Sequence, residues 1–203
     1  MAKEGILFVL IPLLIVALLF VLFGWRLPAI IPAAILLILA GYFAFFFRDP
    51  VRRIVAQENE IVSPVDGTVL DVLDEGQTRR IIFFLSIFNV HVTRLPFAGR
   101  LEKTDYFKGT FLPAYREKAS ELNERITLTV HSDKLRYTLR LIAGVAARRI
   151  RLWVKQGDDL QTGQKIGIIL FGSRAELIFP KSVEILIKKN DTITGGLTLI
   201  GKI

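Results

Sequence analysis

The chain contains no cysteine and only two histidines, His91 and His131. Without cysteine, neither a disulfide framework nor a thiolate metal site can form. Two histidines are too few for a typical multi-histidine centre, so we expect no metal. The Gly-x-Ser-x-Gly elbow of the α/β-hydrolases is also missing. These absences argue against disulfide-stabilised, metal-dependent and elbow-type serine hydrolase classes.

Charge is scarce in the first 47 residues, which carry only Lys3, Glu4 and Arg26. Two uncharged runs, residues 5–25 and 27–47, are each 21 residues long. As helices, each would span about 30 Å, the thickness of the hydrocarbon core of a bilayer. The pattern therefore predicts a two-helix transmembrane hairpin over residues 1–47.

Two details bear on how this hairpin lies in the membrane. Prolines and a glycine within the runs leave open a re-entrant hairpin that enters only one leaflet. Arg48, Arg52 and Arg53 follow the second run, whereas the connecting loop has only Arg26. By the positive-inside rule, both termini and residues 48–203 face the cytoplasm, and the membrane is the cell (inner) membrane.

Basic residues outnumber acidic ones in residues 48–203, which hold 25 of the 27 basic and 18 of the 19 acidic side chains. A basic domain tethered at a bilayer is drawn to anionic lipid head groups. Nucleic acid is the alternative polyanion, but no recognised nucleic-acid motif accompanies the charge. We therefore expect anionic membrane lipids, and no nucleic acid, as partners.

Short apolar or alternating runs dominate residues 48–203 and predict strands. The predicted strands are 61–72, 80–85, 90–95, 100–106, 125–130, 136–142, 150–154, 165–171, 175–179 and 183–187. Only residues 114–123 have a helical pattern. We predict a β-dominated (α+β) barrel-like sandwich domain preceded by the transmembrane hairpin. Exposed edge strands in so small a domain favour a homodimer.

Three motifs in this domain have residues suited to chemistry. They are Asp66-Gly67 within 63–69, His91 within 85–96, and Gly172-Ser173 between two apolar runs. Read singly, each also has a structural interpretation: a turn, a packed strand histidine and a tight turn at a bend. Phe111 and Leu112 lie in an apolar loop beside the predicted helix, which we expect either to pack or to enter the lipid interface near a site.

The three motifs together resemble the phosphatidylserine decarboxylase family, in particular its short membrane-associated members. The resemblance spans nearly all of residues 48–203 and matches in order, spacing and residue type. It is carried by Pro64–Gly67, Leu85–Pro96, Asn123–Ile126, Gly144–Ile150 and Gly163–Arg174.

This resemblance implies a proenzyme that makes its own cofactor. Ser173 would attack the carbonyl of Gly172, and elimination would then divide the chain into 1–172 (beta chain) and 173–203 (alpha chain). The former Ser173 would become an N-terminal pyruvoyl group. The chemistry needs a hydroxyl nucleophile and a nearby base, which these residues can supply.

The family's other site residues carry over in part. Asp66 would orient and charge-stabilise the histidine that acts as base, and His91 matches the first histidine of the family's His-x-x-His pattern. Arg94 occupies the second position of that pattern, which leaves the division of roles open. His91 would then serve both processing and decarboxylation, with His131 as an outside candidate.

The implied reaction converts phosphatidylserine to phosphatidylethanolamine in phospholipid biosynthesis. The pyruvoyl ketone would act as the electron sink for loss of carbon dioxide. His91, with an unperturbed pKa of about 6.5, is suited to protonating the product carbon near neutral pH. Archaetidylserine, with different lipid tails, remains an alternative substrate.

A non-enzymatic reading competes with this one. Pro64–Val69 and Val154–Gly167 also look like the two halves of a biotinyl or lipoyl carrier, or of a membrane-anchored adaptor domain. A carrier displays a lysine between those halves, usually within Met-Lys-Met or Asp-Lys-Ala. Neither tripeptide is present, so the sequence favours the decarboxylase.

Overall fold

The computed structural model describes residues 1–110, 119–144, 149–170 and 173–203. Four features singled out from the sequence lie outside these ranges: Gly172, Phe111, Leu112 and the first part of the predicted helix 114–123. The chain divides into two compact units, Met1–Val51 and Arg52–Ile203.

The N-terminal unit is a pair of apolar helices. After a short 3-10 turn at Lys3–Gly5, they are α1 (Ile6–Phe23) and α2 (Leu27–Phe46). Gly24 ends α1 with a φ of 62°, a left-handed conformation that glycine adopts without strain. The start of α1 meets the end of α2, with the Phe8 and Phe43 rings 5.3 Å apart. The two helices therefore run antiparallel, as the predicted hairpin requires.

Both helices are long and apolar enough to cross a membrane. Small residues on α2, Ala29, Ala33 and Ala40, are buried, which lets helix backbones approach closely. Most of the larger side chains, such as Leu14, Val21 and Ile38, are exposed. Exposed apolar helices of this length are suited to a lipid environment, so the unit supports membrane association.

In the described part of the second unit, the regular elements are strands, apart from the short helix α3 (Ala119–Leu122). The strands are β1 (Glu60–Val62), β2 (Gly67–Glu75), β3 (Thr78–Leu85), β4 (Val92–Arg94), β5 (Gly99–Phe107), β6 (Arg125–His131), β7 (Arg136–Ala143), β8 (Ile150–Leu152), β9 (Asp159–Leu160), β10 (Lys165–Ile169), β11 (Ser173–Pro180), β12 (Glu184–Ile185), β13 (Thr192–Ile193) and β14 (Leu199–Lys202). The predicted fold class, a β-dominated domain preceded by a helical hairpin, is confirmed.

These strands form three sheets around one apolar core. The largest is a curled eight-stranded sheet in the order β13-β2-β3-β11-β7-β6-β5-β9. Two three-stranded sheets, β1-β14-β12 and β4-β10-β8, complete the domain. All strand pairs between these elements are antiparallel, and one core cluster draws buried side chains from all three sheets.

The central strand β11 shows why this sequence buries one face of the sheet. Ala175, Leu177 and Phe179 alternate along it and belong to the core cluster. Arg174 and Glu176 point to the opposite face, where Arg174 Nε donates to Glu176 Oε1 at 2.9 Å. Because Ser173 is two residues before Ala175, its side chain lies on the core face.

The sequence predicted one strand over residues 61–72, but the structure has two, β1 and β2, separated by Ser63–Asp66. Pro64 has no N–H to donate to a ladder. The Ser63 N–H donates to the Thr198 carbonyl at 2.8 Å, and the Ser63 hydroxyl donates to the Val65 carbonyl at 2.7 Å. The backbone therefore leaves the sheet for these residues and returns at Gly67.

Candidate active site

Four strands of the large sheet begin or end together at one edge. Antiparallel pairing places Ser173, the first residue of β11, opposite Leu85 at the end of β3 and Ala143 at the end of β7. The beginning of β2 joins the same edge, because Thr68 pairs with Phe84. We call this end of the sheet, where these strands begin or end, the Ser173 edge.

Ser173 is buried, with a relative exposure of 0%. Its hydroxyl oxygen has no hydrogen-bond partner among the described residues. An unsatisfied buried polar group costs about 1–3 kcal/mol, so native structures seldom keep one without a reason. The neighbouring Gly172 lies outside the described residues. A buried, unengaged hydroxyl at the start of a central strand is suited to act as a nucleophile.

His91 lies at the same edge, just before β4. It is also fully buried, and its carbonyl accepts from the Ile169 N–H at 3.2 Å. Ile169 ends β10, four residues before Ser173 in the chain. The segment that leads to His91 leaves the sheet at Leu85, the strand partner of Ser173. Both connections bring the His91 segment towards Ser173.

The hydrogen bonds of His91 specify which ring nitrogen can act as a base. Its Nδ1 lies 3.0 Å from the Asn89 carbonyl oxygen. Because a carbonyl only accepts, this contact requires the hydrogen on Nδ1 in the neutral ring. Nε2 is then the atom that can take up a proton. The ring is therefore held in the form that a general base needs.

Asp66 comes directly before β2 at this edge, and its carboxylate is held by Arg52. The two guanidinium nitrogens donate to Oδ1 and Oδ2 at 2.6 and 2.8 Å. The Gly195 N–H donates to Oδ1 at 2.8 Å, and Arg52 also donates to the Gly195 carbonyl at 2.6 Å. Within the described part of the chain, Asp66 therefore contacts Arg52 and Gly195 and does not contact a histidine.

Gly67 fixes the distance between Asp66 and the Ser173 edge. Its φ is 152°, and a Cβ at this position would lie 2.0 Å from the Phe84 carbonyl oxygen. Only glycine allows the backbone to approach β3 this closely. Asp66, the residue before Gly67, is thereby held close to β3, the strand that pairs directly with β11.

Arg94, at the position where the family pattern has a second histidine, is buried and has a structural contact. One of its guanidinium nitrogens donates to the Gly163 carbonyl at 2.9 Å, and its own N–H donates to the Pro64 carbonyl at 2.8 Å. Arg94 thus links β4 to two loops. Thr93, beside it, is buried with a hydroxyl that has no partner among the described residues.

His131, the outside candidate, is exposed at the other end of the sheet. It ends β6 and pairs with Arg136 at the start of β7, whereas Ala143 at the end of β7 pairs with Ser173. Seven residues of strand at about 3.3 Å each separate the two levels by roughly 20 Å. The structure therefore brings His91, and not His131, to the Ser173 edge.

Arg52 is the contact that the sequence did not reveal. The sequence presented it as one of three cytoplasmic topology markers, but its side chain is only 8% exposed and engages Asp66. Fourteen residues separate the two partners. No local pattern signals such a pair, because the contact depends on where Ser63–Asp66 leaves the sheet.

Comparison with known proteins identifies the family. The sequence profile of the family described as "Phosphatidylserine decarboxylase" matches residues 39–201. This chain therefore belongs to the phosphatidylserine decarboxylase family, which confirms the family and the enzyme class predicted from the motifs. The matched range contains Asp66, His91 and Ser173.

Individual relatives agree over most of their length. A phosphatidylserine decarboxylase proenzyme of Carboxydothermus hydrogenoformans is 44% identical over 80% of this chain and 80% of its own. One of Ehrlichia chaffeensis is 36% identical over 98% of this chain and 89% of its own. A putative archaetidylserine decarboxylase proenzyme of Methanosarcina barkeri is 37% identical over 84% of this chain and 82% of its own. All three are named as proenzymes.

Proposed function

We propose that this chain is a proenzyme that cuts itself between Gly172 and Ser173, and that the cut form decarboxylates phosphatidylserine to phosphatidylethanolamine. The observation that carries the proposal is the Ser173 hydroxyl, which is buried and has no hydrogen-bond partner among the described residues. Family membership supports this reading over a carrier or adaptor. The relatives' two names share a serine headgroup, so the proposal rests on that headgroup.

Self-cleavage would proceed in three balanced steps. The Ser173 Oγ attacks the Gly172 carbonyl carbon, His91 Nε2 takes the hydroxyl proton, and the amide becomes an ester as its nitrogen is protonated. Loss of the Ser173 α-proton then breaks the Cβ–Oγ bond and releases the Gly172 carboxylate. Water finally replaces the nitrogen, which leaves as ammonia, and residue 173 becomes a pyruvoyl group.

The residues present fit such a group. Ser173 is the first residue of a central strand paired on both sides, so its position stays fixed after the chain is cut. Ser173 and His91 are both fully buried, so their side chains are shielded from bulk water. When formed, the pyruvoyl ketone supplies an electron sink for the loss of carbon dioxide.

His91 would act a second time in decarboxylation. Its Nδ1 contact with the Asn89 carbonyl holds the ring in place, and Nε2 can carry a proton to the product carbon. Asp66 would act on His91 indirectly, since its carboxylate is held by Arg52 and Gly195. We therefore assign Asp66 an indirect role in positioning His91.

The same proposal includes the setting of the reaction. The two apolar helices would anchor the chain in the inner membrane, with the catalytic unit on the cytoplasmic side near anionic lipids. The beta and alpha chains of one precursor would stay together, and two copies would form a homodimer. A topology reporter fused to the C-terminus tests the orientation, which a periplasmic signal would contradict.

Ser173→Ala tests the cleavage directly. The wild-type chain should give fragments 1–172 and 173–203 by intact mass, and the smaller should weigh one ammonia less than a fragment that begins with serine. Ser173→Ala removes the nucleophile and keeps the small side chain, so it should stay whole and fail to decarboxylate. Ser132→Ala, at the far end of the sheet, is the matched control and should be cut normally. An uncut wild-type chain that is nevertheless active would refute the mechanism.

A further inference from the structure

A short turn at the Ser173 edge displays two apolar side chains to solvent. Ile87 and Phe88 are 43% and 64% exposed, and they lie between Leu85, the strand partner of Ser173, and His91. Asn89 Oδ1 accepts from the N–H and the hydroxyl of Ser86, both at 2.8 Å. The Asn89 N–H donates to the Ser86 carbonyl at 3.0 Å. These hydrogen bonds fix the conformation of the turn that carries the two exposed side chains.

Further exposed apolar groups lie on the same edge. Strand register runs in one row from Phe84 through Arg174, Ile142 and Arg125 to Phe107. Phe107 is 45% exposed, and Leu122, in the helix that precedes β6, is 46% exposed. Apolar side chains exposed in one region, rather than singly, indicate a contact surface.

Cations accompany these apolar groups. Lys108 follows Phe107 and is exposed, and the Arg125 guanidinium lies 3.9 Å from the centre of the Phe107 ring. Arg149 is exposed, and its carbonyl accepts from Leu170, three residues before Ser173. Among the described residues near these groups, two carboxylates are exposed: Glu121, beside Leu122, and Asp105, which forms an ion pair with Lys103 at 2.9 Å. The edge is therefore both apolar and net basic.

We infer that the Ser173 edge is a docking surface for an anionic lipid bilayer, with Ile87 and Phe88 entering the interface and Lys108, Arg125 and Arg149 facing the head groups. Apolar side chains flanked by lysine and arginine are what interfacial binding requires. The inference rests on the proposed function, because a two-tailed lipid must pass from a bilayer to Ser173. It assigns the Ser86–Asn89 turn to substrate entry.

A second copy of the chain fits this surface less well. A two-fold dimer through this edge would place Lys108, Arg125 and Arg149 of one copy near the same cations of the other. Like charges across an interface repel each other, whereas anionic head groups complement them. Charge therefore favours the bilayer as the occupant.

The absence of cysteine makes the test direct. Phe88→Cys gives the full-length chain a single thiol for an environment-sensitive fluorophore. Leu73→Cys is the matched control, since Leu73 is a 37% exposed apolar residue on β2, paired with Arg80 away from the Ser173 edge. Both proteins are reconstituted into vesicles of phosphatidylcholine, with and without phosphatidylglycerol, and probed with a water-soluble quencher and with lipids that carry a nitroxide in their tails.

The emission of the label at position 88 should shift to shorter wavelength, and nitroxide lipids should quench it. Both effects should be stronger when phosphatidylglycerol is present. The label at position 73 should be quenched only from the water. Equal quenching of both labels from the water would overturn the inference. So would protection of position 88 in detergent that grows with protein concentration, because it would identify a second copy as the occupant.

A functional readout separates this inference from the proposed function. Phe88→Ser should lower the ratio of turnover on bilayer phosphatidylserine to turnover on a short-chain soluble analogue by about tenfold, since it removes one buried aromatic side chain from the docked state. An unchanged ratio would count against the docking surface. Intact mass on each variant reports self-cleavage independently, so a failure of the proposed chemistry would appear there and leave the quenching result standing.

Discussion

The two ends of the eight-stranded sheet treat polar groups in opposite ways. At the Ser173 edge, the hydroxyl of Ser173 is buried, with no partner among the described residues. At the other end, charged groups form ion pairs that are accessible to solvent. Arg79 pairs with Asp74 at 2.6 Å, and Arg136 pairs with Glu102 at 3.0 Å. Exposed ion pairs add solubility and little stability. Buried, unsatisfied groups cost stability and therefore mark the end where chemistry is expected.

The largest expected effect comes from exchanging the two histidines for alanine, one at each end of the sheet. His91→Ala should slow self-cleavage, or the turnover of any cut protein, by roughly 10²- to 10⁴-fold, because it removes the proposed base and proton donor. His131→Ala should leave both rates within about twofold, as expected for a substitution at an exposed site. Intact mass over time and release of carbon dioxide measure the two steps.

The result would contradict the assignment if the two variants behaved alike. Normal cleavage and turnover in His91→Ala would transfer the base to water or to another group. A large loss in His131→Ala would mean that the distant end of the sheet takes part in catalysis, against the separation of roughly 20 Å given by the strand register.

An effect of intermediate size, on the stability of the folded state, is expected when Arg52 is replaced. Arg52→Gln should destabilise the folded state by about 3 kcal/mol, because it leaves the Asp66 carboxylate, only 13% exposed, without its charged partner. Arg136→Gln, which breaks an exposed pair with side chains 63% and 49% accessible, should cost about 0–1 kcal/mol. Denaturant unfolding of the full chain in detergent compares the two.

Further variants separate the Arg52 contact from charge alone. Arg53→Gln removes a neighbouring exposed arginine and should have almost no effect. Arg52→Lys keeps the charge but cannot form the two parallel hydrogen bonds, so it should restore only part of the stability. If Arg52→Gln also slowed self-cleavage while Arg53→Gln did not, the positioning role of Asp66 would be supported. Equal stability of all three variants would refute the buried pair.

The smallest effect concerns pH at the open end of the sheet. A hydrogen bond from Arg79, helped by its charge, lowers the pKa of Asp74. A group with a lowered folded-state pKa stabilises above its unfolded pKa of about 3.9 and loses that effect as pH falls through the folded value. Asp74→Asn should therefore lower Tm slightly at pH 7, and the difference should shrink as pH falls below about 4. A difference that grows in acid would contradict this sign.

The sequence predicted the parts of the fold that depend on local pattern. Alternation gave β6 and β7 almost to the residue, and two uncharged runs gave α1 and α2. Local pattern cannot predict which strands pair, because β11 lies between β3 and β7, which are far from it in the chain. For the same reason the pattern at residues 166–174 indicated only a bend, and not that Ser173 would pair on both sides.

The candidate site was predictable in its residue types and less so in their contacts. The motifs predicted Ser173 and His91 as candidates, and the structure brings their segments to one edge. The partner of Asp66 was not predictable, since its contacts with Arg52 and Gly195 join residues 14 and 129 positions away. Motifs specify which groups a site contains, whereas contacts over such distances depend on the completed fold.

The place of β11 also has a consequence for the order in which this protein would fold and undergo the proposed cleavage. Residues 173–203 supply the central strand β11 and an end strand, β13, of the large sheet, together with β12 and β14 of a smaller one. Before cleavage, all of these strands find their places within a single chain. If the chain is cut as proposed, renaturation becomes an encounter between two molecules and depends on their concentration. The uncut Ser173→Ala chain should therefore regain its structure after denaturation, whereas the mature enzyme should not do so at high dilution.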